Sequence, residues 1–91
     1  MKCVQIQVSG KVQGVWFRAS TQRKANELNI KGIVKNLPNG DVYIEAQGEE
    51  KDLEYFKKWC HEGSDHSRVD NVIISAMETK SFKDFKIVRG L

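Results

Sequence analysis

The order of periodic segments predicts an α+β domain, an antiparallel sheet with two helices on one face. Three observations lead there. An alternating run opens the chain and is followed by a helix-forming run. Two extended runs joined through a turn signal come next, and then an amphipathic helix and more extended chain. The length, 91 residues, suits a single domain over 1–91.

Each element has its own reason. In residues 2–10, Val4, Ile6 and Val8 alternate with polar residues, the period of a half-buried strand. Residues 18–29 (RASTQRKANELN) are good helix formers, with Ala25 and Leu28 on one face. Gly32 reads as the break after that helix. Residues 33–37 (IVKNL) and 41–47 (DVYIEAQ) read as strands of a hairpin joined through LPNG, which holds the single proline, Pro38. Gly48 ends the second. Residues 49–61 (EEKDLEYFKKWCH) are the clearest helix. Glu49, Glu50 and Asp52 sit near its start and Lys57, Lys58 and His61 near its end, as the macrodipole favours. Leu53, Phe56 and Cys60 form its apolar stripe. HEGSDHS is a loop, and 69–77 and 84–89 are the last strands.

Strand, helix, strand, strand, helix, strand is the split β-α-β order of a ferredoxin-like sandwich. The expected strand order is 4-1-3-2, plus a short fifth strand. In that arrangement strands one and two run the same way, so their C-terminal ends share one edge. Arg18 and Asn36, 18 positions apart, are thereby brought close together.

Composition narrows the function classes. Hydrophobic residues make up 40% and charged residues 30%, a balance typical of folded proteins rather than disordered ones. No apolar run approaches the roughly 20 residues that cross a bilayer, and the N-terminus lacks a signal-peptide core. A cytoplasmic protein without a membrane partner is expected. The net charge of +3 comes from 15 basic and 12 acidic residues interspersed along the chain. That favours anionic ligands mildly and does not by itself indicate nucleic acid. Cys3 lies on the strand face opposite Val4, Ile6 and Val8, and Cys60 lies on a helix stripe. If the helix packs on the Val4 face, a bridge between them would pass through the sheet, so both are expected as thiols.

Residues 10–18 read GKVQGVWFR. Glycines let a backbone turn sharply and aim successive N–H groups inward. A helix N-terminus beyond adds free donors and partial positive charge. Arginine adds a planar fork that matches two oxygens of a phosphate. Together they make an oxyanion cradle. An ordinary tight loop with a solvated arginine accounts for the spacing about as well. The run is neither a nucleotide P-loop nor a dinucleotide fingerprint.

Other chemistry fits poorly. A thiolate phosphatase loop needs an arginine six residues past its cysteine, and those positions hold Ser9 and His66. His61 and His66 flank a polar loop expected to lie away from the C-terminal ends of strands one and two. CHEGSDH is half a zinc site without a second half. No paired carboxylates stand near the loop. An RNA-binding sheet would need several aromatics on strand three, which has one tyrosine. A silent binder of small anions is a further alternative.

A site lacking metal, base and thiol suits a reaction whose leaving group needs no proton. An acyl phosphate releases a carboxylate, whose conjugate acid has a pKa of about 4.3. The work left is to hold the phosphoryl group, stabilise its charge and orient water. Arg18 with the loop amides suits the first two tasks and Asn36 the third.

These residues resemble the acylphosphatase family. Its first signature, G-x-V-Q-G-V-x-F-R, is met by GKVQGVWFR at 10–18. Its second, G-aromatic-V-x-N-x-x-x-G-x-V-x5-G, is met at 32–48 by Gly32, Val34, Asn36, Gly40, Val42 and Gly48. The resemblance spans the chain. It implies hydrolysis of small acyl phosphates to carboxylate and inorganic phosphate, with no metal and no cofactor. It implies a small stand-alone enzyme, expected as a monomer. Arg18 matches the phosphate-binding arginine and Asn36 the residue that positions the attacking water. The amides of Gln13, Gly14, Val15, Trp16, Phe17 and Arg18 match the phosphate loop. Carbamoyl phosphate is an alternative substrate, as in acylphosphatase-like domains of larger maturation proteins. Ile33 replaces the usual aromatic, and FKIVRGL runs past the usual ending. Trp16 occupies a variable position, either exposed beside the pocket or packed on the loop.

Overall fold

The computed structural model describes residues 1–89. Strand β1 (Lys2–Lys11) leads into helix α1 (Phe17–Glu27), and strands β2 (Lys31–Asn36) and β3 (Val42–Gly48) follow. Helix α2 (Glu50–Glu62), strand β4 (Arg68–Met77) and the short strand β5 (Phe85–Ile87) complete the order. The sheet runs β4-β1-β3-β2-β5, so the expected 4-1-3-2 core is present.

The sheet is mixed, which corrects the expectation of a wholly antiparallel one. β1 pairs antiparallel with β3 and β4, and β2 with β3, but β5 pairs parallel with β2. A parallel partner needs a long connection, and here all of β3, α2 and β4 intervene. Backbone bonds to β2 fasten β5 at both ends, Gly32 N–H to Asp84 O and Val88 N–H to Val34 O, each 2.9 Å.

Gly32 is a strand residue and not the break after α1. The helix closes earlier, with the Leu28 and Ile30 N–H groups turning back to Ala25 O. Gly32 has φ +151°, and a Cβ there would run into the Glu45 carbonyl on the paired strand. Only glycine allows the two backbones this approach.

The core lies between the sheet and the helices. Val4, Ile6 and Val8 meet Phe17 and Ala25 of α1, Leu53, Phe56 and Cys60 of α2, and Val34 and Ile44 of the neighbouring strands. On α1 the buried line is Phe17, Thr21, Ala25, a spacing of four that keeps one face inward. Buried Thr21 is satisfied because its hydroxyl donates to Phe17 O at 2.8 Å. Cys60 belongs to this core, whereas Cys3 pairs across β1 with Gln47 on the face away from it. Both are buried free thiols.

The loop between α2 and β4 corrects a second expectation. Because β4 runs antiparallel to β1, it starts where β1 ends, and Lys11 pairs with Arg68. The loop bearing His66 therefore sits at the same edge as the C-terminal end of β1.

Candidate active site

The glycine loop begins with a bulge. The β1–β4 register shifts between Ser9 and Gly10, and a Cβ on Gly10 would strike the Arg68 carbonyl. The bulge bends the end of β1 and frees the chain from the ladder. Two left-handed residues follow, Gly14 at φ 74° and Trp16 at φ 64°. Left-handed backbone costs a residue with a Cβ about 1 kcal/mol, so Trp16 holds strain at this turn. α1 then starts, and Val12 and Phe17 bury their side chains below the loop.

This backbone path leaves a run of donors. The first bond of the helix goes from Ser20 N–H to Trp16 O at 3.0 Å. Among the described residues, no backbone N–H from Gln13 to Ala19 donates to a backbone carbonyl. Free donors at a helix N-terminus, following left-handed turns, are the arrangement that binds anions.

Arg18 and Asn36 line one recess of about 320 Å³ together with Gly14, Trp16 and Phe17 of the loop that carries these donors. The parallel course of β1 and β2 brings them there, as the topology requires. Asn36 ends β2, and its Oδ1 is buried with no hydrogen-bond partner among the described protein groups. Such an orphaned acceptor is uncommon in a folded protein and points to a functional constraint. Gln13 and Val15 face elsewhere. The Gln13 side chain donates to the carbonyls of Leu37 and Asp41, and Val15 packs against the core. Trp16 is 79% exposed, so it stands beside the recess and does not pack on the loop.

Arg89 and Ile87 also line the recess, and the sequence reading missed both. Arg89 lies outside either signature. It reaches the site because β5 runs parallel to β2, so the chain leaving β5 emerges beside Asn36. The available signal was the spacing, an arginine two residues past the last short strand.

Among the described residues the recess offers no side-chain acid, base or nucleophile. Its lining among the described residues contains no carboxylate, histidine or cysteine. Burial pushes the Cys60 thiol up to about 12, far from a reactive thiolate. Burial, and then the Glu45 charge, raises Cys3 as well. Among the described residues no three His, Cys, Asp or Glu side chains converge as metal ligands, and no helix is long and apolar enough to cross a membrane.

Known proteins share this fold and much of this sequence. A family model described as Acylphosphatase matches residues 4–87. An acylphosphatase of Marinobacter nauticus is 50% identical over 80 residues, 87% of each chain. The solved acylphosphatase of Coxiella burnetii superposes with a TM-score of 0.92 at 40% identity, covering 96% of this chain and 92% of that one. The acylphosphatase structure from Bacillus subtilis gives 0.95 at 34% identity, covering 98% and 100%.

Proposed function

The chain belongs to the acylphosphatase family, and we propose that it hydrolyses small acyl phosphates in the recess shared by Arg18 and Asn36. The observation behind this assignment is the convergence of those two side chains under a run of unpaired backbone N–H groups.

In the proposed mechanism the guanidinium of Arg18 and the amides of Gln13 to Arg18 hold the phosphoryl oxygens. A charge-assisted fork and fixed dipoles stabilise the charge that builds on those oxygens during transfer. The Asn36 side-chain amide hydrogen-bonds a water and so aims the water's lone pair at phosphorus. The water oxygen forms the new P–O bond as the bond to the acyl oxygen breaks. The carboxylate leaves as an anion, and the water proton passes to a phosphoryl oxygen. No side-chain base is required, in keeping with the lining of the recess. The reading includes no metal and no cofactor. It also takes the protein as a monomer of the cytoplasm, where its two free thiols stay reduced.

The test is hydrolysis of benzoyl phosphate by the pure protein in EDTA, with Arg18→Ala alongside. Rapid turnover that vanishes in the variant is expected. No turnover by a folded wild type, or full turnover by the variant, overturns the assignment.

A further inference from the structure

Arg89 lines the recess from a strand too short to hold it there unaided. β5 has three residues and is the last strand of the sheet, with β2 alone beside it. A short edge of this kind frays readily. Its backbone is nevertheless fixed from two directions. Gly32 and Val34 of β2 bond it on one side, through Asp84 O and Val88 N–H. Successive carbonyls of a strand point to opposite sides, so Phe85 O faces away from β2, where an edge strand has no ladder partner. The Gln22 side chain supplies the partner: its Nε2 donates to Phe85 O at 2.9 Å.

Gln22 belongs to the helix that carries Arg18. The two are four residues apart, on one face of α1 and separated by about 6 Å along its axis. Both are half-buried. On β5 and just beyond it, alternation puts Phe85, Ile87 and Arg89 on one face. Phe85 is buried against Phe56, their ring centroids 6.1 Å apart, while Ile87 and Arg89 reach the recess. α1 starts at the recess and β5 runs toward it. The bond from Gln22 to Phe85 O therefore sets the spacing between the two segments that deliver Arg18 and Arg89.

Among the described residues no carboxylate lines the recess. Two guanidinium groups at one cavity without a counter-charge repel each other, and a bound anion relieves that repulsion. A phosphoryl group in transfer is such an anion, with its charge spread over three oxygens. One planar fork matches only two of them. We infer that Arg89 is a second cation for the transferred phosphoryl group, and that Gln22 is the positioning residue that keeps Arg89 in register with Arg18. This inference rests on the hydrolase reading above. Arg89 binds a phosphoryl oxygen, whereas Gln22 touches no substrate and acts through Arg89.

The experiment is a double-mutant cycle of Arg89→Gln and Gln22→Met, read by benzoyl phosphate kinetics with inorganic phosphate as competing inhibitor. Arg89→Gln is expected to raise KM and the phosphate inhibition constant by about fivefold, the scale of a charge pair open to solvent. The difference from wild type should shrink as ionic strength rises. Folding should be unaffected, because Arg89 is exposed. Gln22→Met keeps the side chain's length and helix preference and loses its donor. It should raise both constants by about threefold when Arg89 is present and leave them unchanged when Arg89 is already Gln, because residues that act as one unit are not additive. A Gln22→Met variant that lowers the urea midpoint without moving phosphate inhibition, or that has equal effects in both backgrounds, overturns the positioning role. Unchanged constants in Arg89→Gln overturn the whole inference and leave the hydrolase reading intact. A folded wild type that does not hydrolyse benzoyl phosphate overturns both.

Discussion

Gln13 and Leu37 are joined by a hydrogen bond of 2.8 Å from the Gln13 Nε2 to the Leu37 main-chain oxygen. The same amide reaches Asp41 O, also at 2.8 Å. The glycine loop is thereby tied to both ends of the β2–β3 turn, next to Asn36. The bonds fix the distance between the loop donors and the Asn36 amide.

Gln13→Ala is therefore expected to weaken the site while leaving its reacting groups in place. Losing two neutral hydrogen bonds removes about 1–3 kcal/mol from the folding free energy. The constant for inhibition by phosphate should rise as the loop loosens. Urea unfolding and phosphate competition on the same sample check both. A variant with unchanged inhibition would show that the loop holds its shape without the tie.

Arg18→Ala is expected to lower turnover by at least about a thousandfold, as befits the side chain that stabilises transferred charge. Inhibition by phosphate should vanish with it. The far-ultraviolet circular dichroism should not change, because the half-buried Arg18 lies outside the apolar core.

Asn36→Ala separates binding from water positioning. A loss of about a hundredfold or more in kcat is expected, with little change in the phosphate inhibition constant. Stability should hold or rise slightly, since the substitution removes a buried acceptor that has no partner. Equal losses of turnover and inhibition would assign Asn36 to supporting the loop.

The far face of the sheet sets an acid limit on stability. Burial alone would push the Glu45 carboxyl up. The Tyr43 hydroxyl at 2.7 Å, the Lys80 ammonium at 3.0 Å and the charges of Lys80 and Lys35 outweigh burial and hold it below the ordinary value of 4.5. A carboxyl whose pKa is depressed by folding stabilises the protein above its unfolded value, and that contribution fades as pH falls through the folded one. Urea midpoints are therefore expected to fall as the pH drops below about 4.5. Glu45→Gln should be less stable at pH 7 and flatter across the acid range. Parallel curves for the two proteins would remove Glu45 from the acid transition.

What the chain reveals unaided depends on how local the signal is. Val4, Ile6 and Val8 announce a strand and Leu53, Phe56 and Cys60 a helix face, because side-chain period is a local property. The meeting of Arg18 and Asn36 follows from topology once the element order is known. The edge chosen by β5 does not. A three-residue strand after an irregular stretch carries no mark of its partner, and its parallel seat on β2 depends on contacts with Gly32 and Val34. Arg89 went unread for the same reason. Gly32 misleads because a close backbone approach within a strand and a helix stop both call for glycine. The loop with His66 was misplaced although the topology already fixed it, since β4 must start beside the end of β1.

The parallel course of β5 decides how the protein is best handled at the bench. Arg89 lines the recess, so an affinity tag or surface linker placed next to it would crowd the groove that admits substrate. Lys2 opens β1 at the opposite edge of the sheet, one ten-residue strand or about 30 Å away. Immobilising the protein through Met1, which is exposed, presents the recess to solution.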